Sequence, residues 1–373
     1  MDEPRSGSQW FSLTLPPQCV VLGRALLLST LAMTLLVAIV SVVIVPRSQH
    51  RLYDSQAIAI THAVIDEPAG QALVLFRTMP SSPAGAFYRV GVQDLRRPFF
   101  SPRTLSTAES PSCLVATPKG VVVGFADGTL RQFSSAWQET SVTASNSEFI
   151  GQQLDGAPSS LACSNDGRHV ISYDSNSIYV WDLPGKRLKH RLARGEAFSF
   201  VWAPHGDTFY HDLRGCVVER SAATGEVLRI VDKCHEHVVA LALSADGRLL
   251  ASLGMNRELR VVQTVDGRFL WKKDICNEAD QSLLGAGEAL PALSPALVFN
   301  ADGQLASASD HGTFSQTWLI TLWDANTGRR QLRFTAHRNL ILGIAFGARK
   351  LCYSWGSDGT LRTWDLTAIK NST

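Results

Sequence analysis

Residues 334–366 read FTAHRNLILGIAFGARKLCYSWGSDGTLRTWDL. The run Gly343–Phe346 is small and apolar, a turn follows at Gly347-Ala348, Ser354 falls in a strand, Asp358 in a turn, and Trp364-Asp365 closes the stretch. Short runs of apolar, β-branched and aromatic residues bounded by glycine turns predict strands. Four polar residues recur among them. His337, Ser354, Asp358 and Trp364 can be linked by hydrogen bonds running from the indole N–H through hydroxyl and imidazole to the turn carboxylate, which satisfies polar groups buried between strands. The same residues could be read as a catalytic Ser-His-Asp set. The indole occupies the serine, however, and no nucleophile elbow surrounds it, so a structural tetrad is expected.

Outward from this stretch the pattern repeats. One turn series runs Lys119-Gly120, Asp166-Gly167, His205-Gly206, Asp246-Gly247, Asp302-Gly303 and Gly347-Ala348; a second runs Pro184-Gly185, Thr224-Gly225, Asp266-Gly267 and Thr327-Gly328. Two series in phase at a period of ~40–45 residues predict a four-stranded blade repeated around an axis. Two independent domains would not keep one period.

The 334–366 stretch resembles a complete WD repeat, with His337 in the Gly-His position. ISYDSNSIYVWDL, ending at Leu183, and LITLWDANTG, ending at Gly328, are similar to the closing strand of that repeat. Blades around Val201 and Leu241 are degenerate, with Glu219 and Val262 read in the tryptophan position and Cys234 or His235 in the Gly-His position. The resemblance implies an all-β, seven-bladed β-propeller of WD-type repeats (six to eight blades fit), one weaker blade lying between Gln71 and about Leu105. Only eight residues follow Asp365, too few for a turn and an outer strand. An unpaired edge is a liability, so Ser55–Ile65, SQAIAITHAVI, is expected to supply the closing strand.

Ahead of the repeats, Ala25–Val45 carries Ser29, Thr30, Thr34 and Ser41 as its only polar residues. At 1.5 Å per residue it is long enough for a ~30 Å hydrocarbon core. A cleaved signal is disfavoured because the segment is too long and Val43 and Val45 are not the small residues a peptidase takes. The expected organisation is a tail at 1–24, a transmembrane helix at 25–45, a linker at 46–54, and a propeller at 55–373 closed by strand 55–65. That makes a single-pass membrane protein contacting the lipid bilayer through residues 25–45. Arg24 on one side and Arg47 and Arg51 on the other nearly balance, so charge does not set which face of the membrane carries the propeller.

Lys+Arg of 35 against Asp+Glu of 33, with no long basic run, disfavours nucleic acid as a partner. Seven cysteines without a CxxC pair read as scattered, mostly buried thiols. Arg187-Leu188-Lys189-His190-Arg191 reads as a solvated strand edge. No GxxxxGK[ST], GxSxG, HExxH or GxGxxG occurs. His235 and His237, with His211 as a third candidate, approach metal-ligand spacing, but no second cluster completes four positions; no metal and no cofactor are expected.

The reading is therefore a membrane-tethered scaffold for binding other proteins, not an enzyme. A propeller enzyme, of hydrolase or quinone-cofactor oxidoreductase type, would need acidic or histidine groups repeated on the innermost strands; an extracytoplasmic ligand sensor or assembly factor would bind in the same channel. The innermost runs SLAC, FVWA, VALALS, ALVF and GIAF are apolar instead. Two connections are longer than their siblings, 276–291 and 311–318, and both belong to the sixth blade. Leu283, Leu284, Phe314 and Trp318 on them form the expected partner-binding patch, since aromatic and aliphatic anchors dominate interface energy.

Overall fold

LLASLG, Leu249–Gly254, is buried from its second residue to its last. A strand apolar on both faces must lie in a sheet covered on both sides, and stacking sheets around an axis provides that cover. The computed structural model describes residues 50–51, 57–78, 88–95, 103–105, 110–134, 139–143, 160–173, 177–193, 199–204, 207–233, 237–275, 296–310 and 317–370. These residues form seven antiparallel four-stranded sheets. The 25–45 segment lies outside the described residues, and no described helix is long and apolar enough to cross a membrane.

A two-residue strand, β1 (His50–Arg51), comes first. Blade one holds β2 (Ala57–Asp66), β3 (Gln71–Thr78), β4 (Tyr88–Asp94) and β5 (Arg103–Leu105). Blade two holds β6 (Pro111–Thr117), β7 (Gly120–Phe125), β8 (Leu130–Phe133) and β9 (Glu139–Thr143). Blade three holds β10 (Ser160–Cys163), β11 (His169–Tyr173), β12 (Ser177–Asp182) and β13 (Arg187–Ala193). Blade four holds β14 (Phe200–Trp202), β15 (Thr208–Leu213), β16 (Cys216–Ser221) and β17 (Val227–Lys233). Blade five holds β18 (Val238–Leu243), β19 (Leu249–Gly254), β20 (Glu258–Gln263) and β21 (Phe269–Asp274). Blade six holds β22 (Leu297–Phe299), β23 (Gln304–Asp310), β24 (Trp318–Asp324) and β25 (Arg330–His337). Blade seven holds β26 (Ile341–Phe346), β27 (Leu351–Gly356) and β28 (Thr360–Asp365), followed by a five-residue helix α1 (Leu366–Lys370).

The first strand of each blade touches the first strand of the next, and β26 touches β2, so the ring closes. Packing closes with it. Trp355 and Leu361 of blade seven are buried with Ile60, Ala72, Val74 and Phe76 of blade one. Burying such side chains contributes ~1.5–3 kcal/mol each.

The closing strand is not the expected one. Blade seven is completed by β1, with His50 opposite Leu361 and Arg51 opposite Thr360. Residues 57–65 fall instead in β2, which pairs with β3 along nearly its whole length and is the innermost strand of blade one; residues 55 and 56 lie outside the described residues. The reason is local: a hairpin through Glu67–Gly70 closes a short loop, and short loops cost less entropy than pairing across the chain. Blade one consequently begins at Ala57, ahead of the Gln71 start read from the sequence.

Turn chemistry repeats with the strands. In Ser164-Asn165-Asp166-Gly167-Arg168 the Ser164 hydroxyl donates to Asp166 Oδ1 at 2.6 Å and accepts from the His169 N–H at 2.9 Å. Ser244-Ala245-Asp246-Gly247-Arg248 repeats both bonds, at 2.6 Å to Asp246 and 2.9 Å from the Leu249 N–H. Gly328, at φ 68°, must be glycine for a second reason: a Cβ there would lie 2.7 Å from the ring of Trp271 in blade five. That tryptophan donates its indole N–H to the Ala325 carbonyl at 2.7 Å, joining two blades through one turn.

Candidate functional site

The strand register defines one slot in every blade, the third-strand residue opposite the second residue of the second strand. Its occupants in blades one to seven are Gln93, Phe133, Trp181, Arg220, Val262, Trp323 and Trp364. Two residues further along the second strand stand Val74, Val123, Ser172, His211, Ser252, Ser307 and Ser354. Side chains two apart on a strand share a face, so the slot residue and this second residue can meet across the ladder.

In blade seven they do. Trp364 Nε1–H donates to Ser354 Oγ at 2.8 Å, and Ser354 Oγ lies 2.7 Å from His337 Nε2. His337 Nδ1 lies 3.0 Å from both oxygens of Asp358. One proton arrangement serves all four groups: the Ser354 hydroxyl donates to Nε2, and Nδ1–H donates to the carboxylate. It requires a neutral imidazole, and burial pushes the His337 pKa down despite the opposing pull of Asp358. For Asp358 burial acts upward, but bonds from His337 and Thr360 and the Arg362 guanidinium outweigh it and hold the carboxyl down at about 2. Thr360 gives Asp358 Oδ1 both its N–H, at 3.1 Å, and its hydroxyl, at 2.6 Å; Arg362 Nη2 reaches Oδ2 at 3.3 Å. Ser354 has no exposed surface, so no substrate reaches its oxygen. The array joins the end of blade six to the second and third strands of blade seven and serves the fold.

The indole-to-serine bond recurs at 2.9 Å from Trp181 to Ser172 in blade three and from Trp323 to Ser307 in blade six. Blade two keeps the other half. Asp127-Gly128-Thr129-Leu130-Arg131 has the same sequence as Asp358-Gly359-Thr360-Leu361-Arg362, and the bonds match: Thr129 Oγ1 to Asp127 Oδ1 at 2.7 Å and Arg131 Nη2 to Asp127 Oδ2 at 3.4 Å. This five-residue identity, absent from the turn series above, is exposed by comparing the chain with itself.

Blade four corrects the sequence alignment by one residue. The slot belongs to Arg220, not Glu219, because the register pairs Phe209 with Arg220 and Tyr210 with Glu219. Arg220 Nε–H donates to His211 Nε2 at 3.0 Å, in the place of the indole and the serine. His211 Nδ1 lies 2.8 Å from the Asp212 carbonyl, so both ring nitrogens are engaged. Burial first, and the guanidinium second, push this imidazole down to about 4. Glu219 points to the other face, accepting from Thr208 Oγ1 at 3.1 Å and from Arg229 Nε at 2.7 Å.

The remaining candidates separate. Trp318 is the first residue of β24, 7% exposed, and packed between blades six and seven with Ile320 and Ile341. It is a core residue, because its backbone is already paired with Asp310 and His337. Leu283, Leu284 and Phe314 lie outside the described residues, as does His235. Among the described residues no group of three His, Cys, Asp or Glu side chains is placed to hold a metal ion. Cys113, Cys163, Cys216 and Cys352 are unpaired; burial pushes the Cys113 and Cys352 thiols up to about 12.

Seven radially stacked four-stranded blades, three of them carrying an indole-to-serine bond across the second and third strands, define a β-propeller. Within it, residues 147–182 match the family described as WD domain, G-beta repeat. That match ends at Trp181-Asp182 of blade three. A comparison with curated proteins finds no match for the chain.

Proposed function

We propose that this chain is a non-catalytic platform for binding other proteins, held at a membrane by residues 25–45. The observation that carries the reading is the makeup of the channel wall. In six blades the innermost strands, β6, β10, β14, β18, β22 and β26, carry no charged or imidazole side chain. Only β2 differs, with His62 and, at its turn, Asp66. A propeller that worked on a substrate or cofactor at its axis would repeat polar groups there; a rigid ring presenting variable loops suits recognition. The polar arrays lie between strands and are consumed by the fold. The connection into blade six, 275–296, is the longest between strands, and 311–317 within that blade leaves from the same end because its strands alternate in direction. Leu283, Leu284 and Phe314 on them are the proposed contact residues.

The test has two arms. Carbonate extraction should leave the full-length chain, at unprocessed mass, in the membrane pellet; release of a shortened soluble product refutes the tether. Cross-linking in detergent-solubilised membranes should trap defined protein partners, and loss of the same partners on shortening both connections should leave the melting temperature unchanged. A chain that traps no partner above a scrambled-blade control refutes the platform.

A further inference from the structure

At the opposite end of the molecule, where the tight turns lie, a cleft of about 1340 Å³ opens between blades six and seven. One wall is the turn leading into β25, with Arg329 and Arg330; the other is the turn between β26 and β27, with Arg349 and Lys350; Lys370 of α1 stands at the margin. All five cations are exposed. Among the described residues no carboxylate forms an ion pair with Arg329, Arg349 or Lys350. Arg349 and Lys350 hold φ of 53° and 61°, the left-handed region that side-chain-bearing residues enter at a cost.

The acidic groups around the cleft are mostly tied to the backbone. Asp324 accepts from Thr327 Oγ1 at 2.8 Å and from the Thr327 N–H at 2.9 Å. Glu67, reaching over from blade one, accepts from the Ala348 N–H at 2.6 Å and from Tyr353 Oη at 2.7 Å. Asp365 caps α1 through the Thr367 and Ala368 N–H groups. Asp302 is the other carboxylate of the lining. Beneath the charges the floor is apolar, with Val298 and Phe346 half-buried against the core shared by the two blades.

Resting on the platform reading, we infer that this cleft docks an acidic protein segment carrying apolar side chains. Charge complementarity points to carboxylates on the two rims, and the floor between them takes the apolar anchors. Three features select a peptide over other anions. The volume exceeds the ~300–1,000 Å³ of small-molecule sites, so a single phosphate or nucleotide would leave it largely unfilled. The cations face one another across a concavity, whose floor a planar lipid leaflet does not reach. Cation pairs on opposing walls match a chain lying along the groove, with acidic groups directed to either side.

The experiment uses the full chain in phosphatidylcholine nanodiscs and a fluorescein-labelled peptide alternating glutamate with leucine and phenylalanine. The peptide should bind, should bind less tightly as salt rises, and should outcompete its lysine-for-glutamate counterpart. Reversal at Arg329→Glu with Lys350→Glu should weaken binding by about tenfold or more at unchanged melting temperature. If reversal unfolds the blade, Arg329→Gln with Lys350→Gln carries the same test with a smaller loss. Unchanged affinity in the folded variant overturns the inference, as does capture of phosphatidylserine vesicles in place of the peptide. The platform reading is tested separately by the cross-linked partners: their persistence in the reversal variant, together with unaltered peptide binding, removes the cleft and keeps the platform.

Discussion

Blades seven and four use one backbone position in two chemical ways. In blade seven a neutral indole donates to a serine hydroxyl, and the chain of bonds continues through His337 to the Asp358 carboxylate. In blade four a guanidinium donates to an imidazole, and the chain ends on the Asp212 carbonyl. Gly215 stands four residues beyond His211, where Asp358 stands four residues beyond Ser354. The donor, the acceptor and the register are kept while the chemistry is exchanged. What the fold requires at this slot is a buried donor satisfied across the ladder, and tryptophan is one way of providing it.

The largest expected difference between the two blades lies at that carboxylate. Asp358→Ala removes the acceptor for His337, Thr360 and Arg362 together and takes the carboxylate from a partly buried guanidinium, which keeps its bond to the Ala336 carbonyl. Breaking one partner out of such a network costs ~3–5 kcal/mol. Denaturant unfolding should show a midpoint shift of that order, and a loss below about 1 kcal/mol would mean that neighbouring groups or water replace the carboxylate. Blade four holds no counterpart to lose.

Acid separates the blades next. His211 is neutral in the fold, with its pKa pushed down to about 4, whereas an unfolded histidine titrates near 6.5. Between those values the unfolded chain binds the proton and the folded chain does not, so stability is full above pH ~6.5 and falls as pH drops toward 4. The interval corresponds to roughly 3 kcal/mol if His211 alone is counted. His337 is shifted in the same direction and adds to the loss. Asp358 acts in a lower window: its depressed pKa of about 2 contributes stability that is present above ~4 and lost as pH falls through 2. His211→Gln retains an acceptor for Arg220 and removes the titration. It should make the decline between pH 6.5 and 4 shallower while leaving the part owed to His337 and to His62, which burial also pushes down to about 4, and an unaltered acid limb would show that blade four does not contribute to it.

The exchange itself can be tested by a cycle. Arg220→Trp and His211→Ser each mismatch the slot, one placing an indole against an imidazole and the other leaving a guanidinium against a hydroxyl. Together they install the pair of blade seven. The double variant should lose less than the sum of the single losses by ~1–2 kcal/mol, the range for groups sharing a hydrogen bond. Additivity would mean that the packing around Phe209 and Trp202, and not the bond, decides what blade four accepts.

The same contrast explains what the sequence disclosed. Trp181, Trp323 and Trp364 are visible because each precedes an aspartate at the end of an apolar run, and glycine turns mark the period between them. Arg220 carries no such mark; its slot is fixed by which residue faces Phe209, and counting along a degenerate strand placed Glu219 there. The closing strand was hidden for a related reason. His50–Arg51 is two polar residues long, below any window in which alternation can be measured, whereas Ser55–Ile65 has strand composition and reads as the closing edge, a place that residues 57–65 do not occupy. Trp318 reads as an anchor because it adjoins a long connection, but it is buried in a cluster that includes Ile341 and Ile344 of β26, which the linear chain does not place beside it. The cleft between blades six and seven was not legible at all, since its two walls are turns that meet only through the ring.

The smallest effect isolates the hydrogen bond from the ring that makes it. Trp364 and Trp355 both belong to blade seven, and both are nearly buried, at 5% and 8% exposure. Trp364 donates its indole N–H to Ser354, while the Trp355 Nε1 is buried without a hydrogen-bond partner among the described residues. Trp355 instead covers Gly343, whose missing side chain leaves the space its ring fills. Replacing either residue with phenylalanine removes the same atoms and leaves a comparable void, so the transfer and cavity contributions should nearly cancel in the comparison. What differs is the bond. Trp364→Phe strands the Ser354 lone pair and disturbs the His337 relay, whereas Trp355→Phe removes a donor that was already unsatisfied and so relieves a cost. Trp364→Phe should therefore be the more destabilising by ~1–2 kcal/mol in denaturant unfolding. Equal losses would show that the indole of blade seven acts through its volume, and the resemblance between its slot and that of blade four would then be one of shape alone.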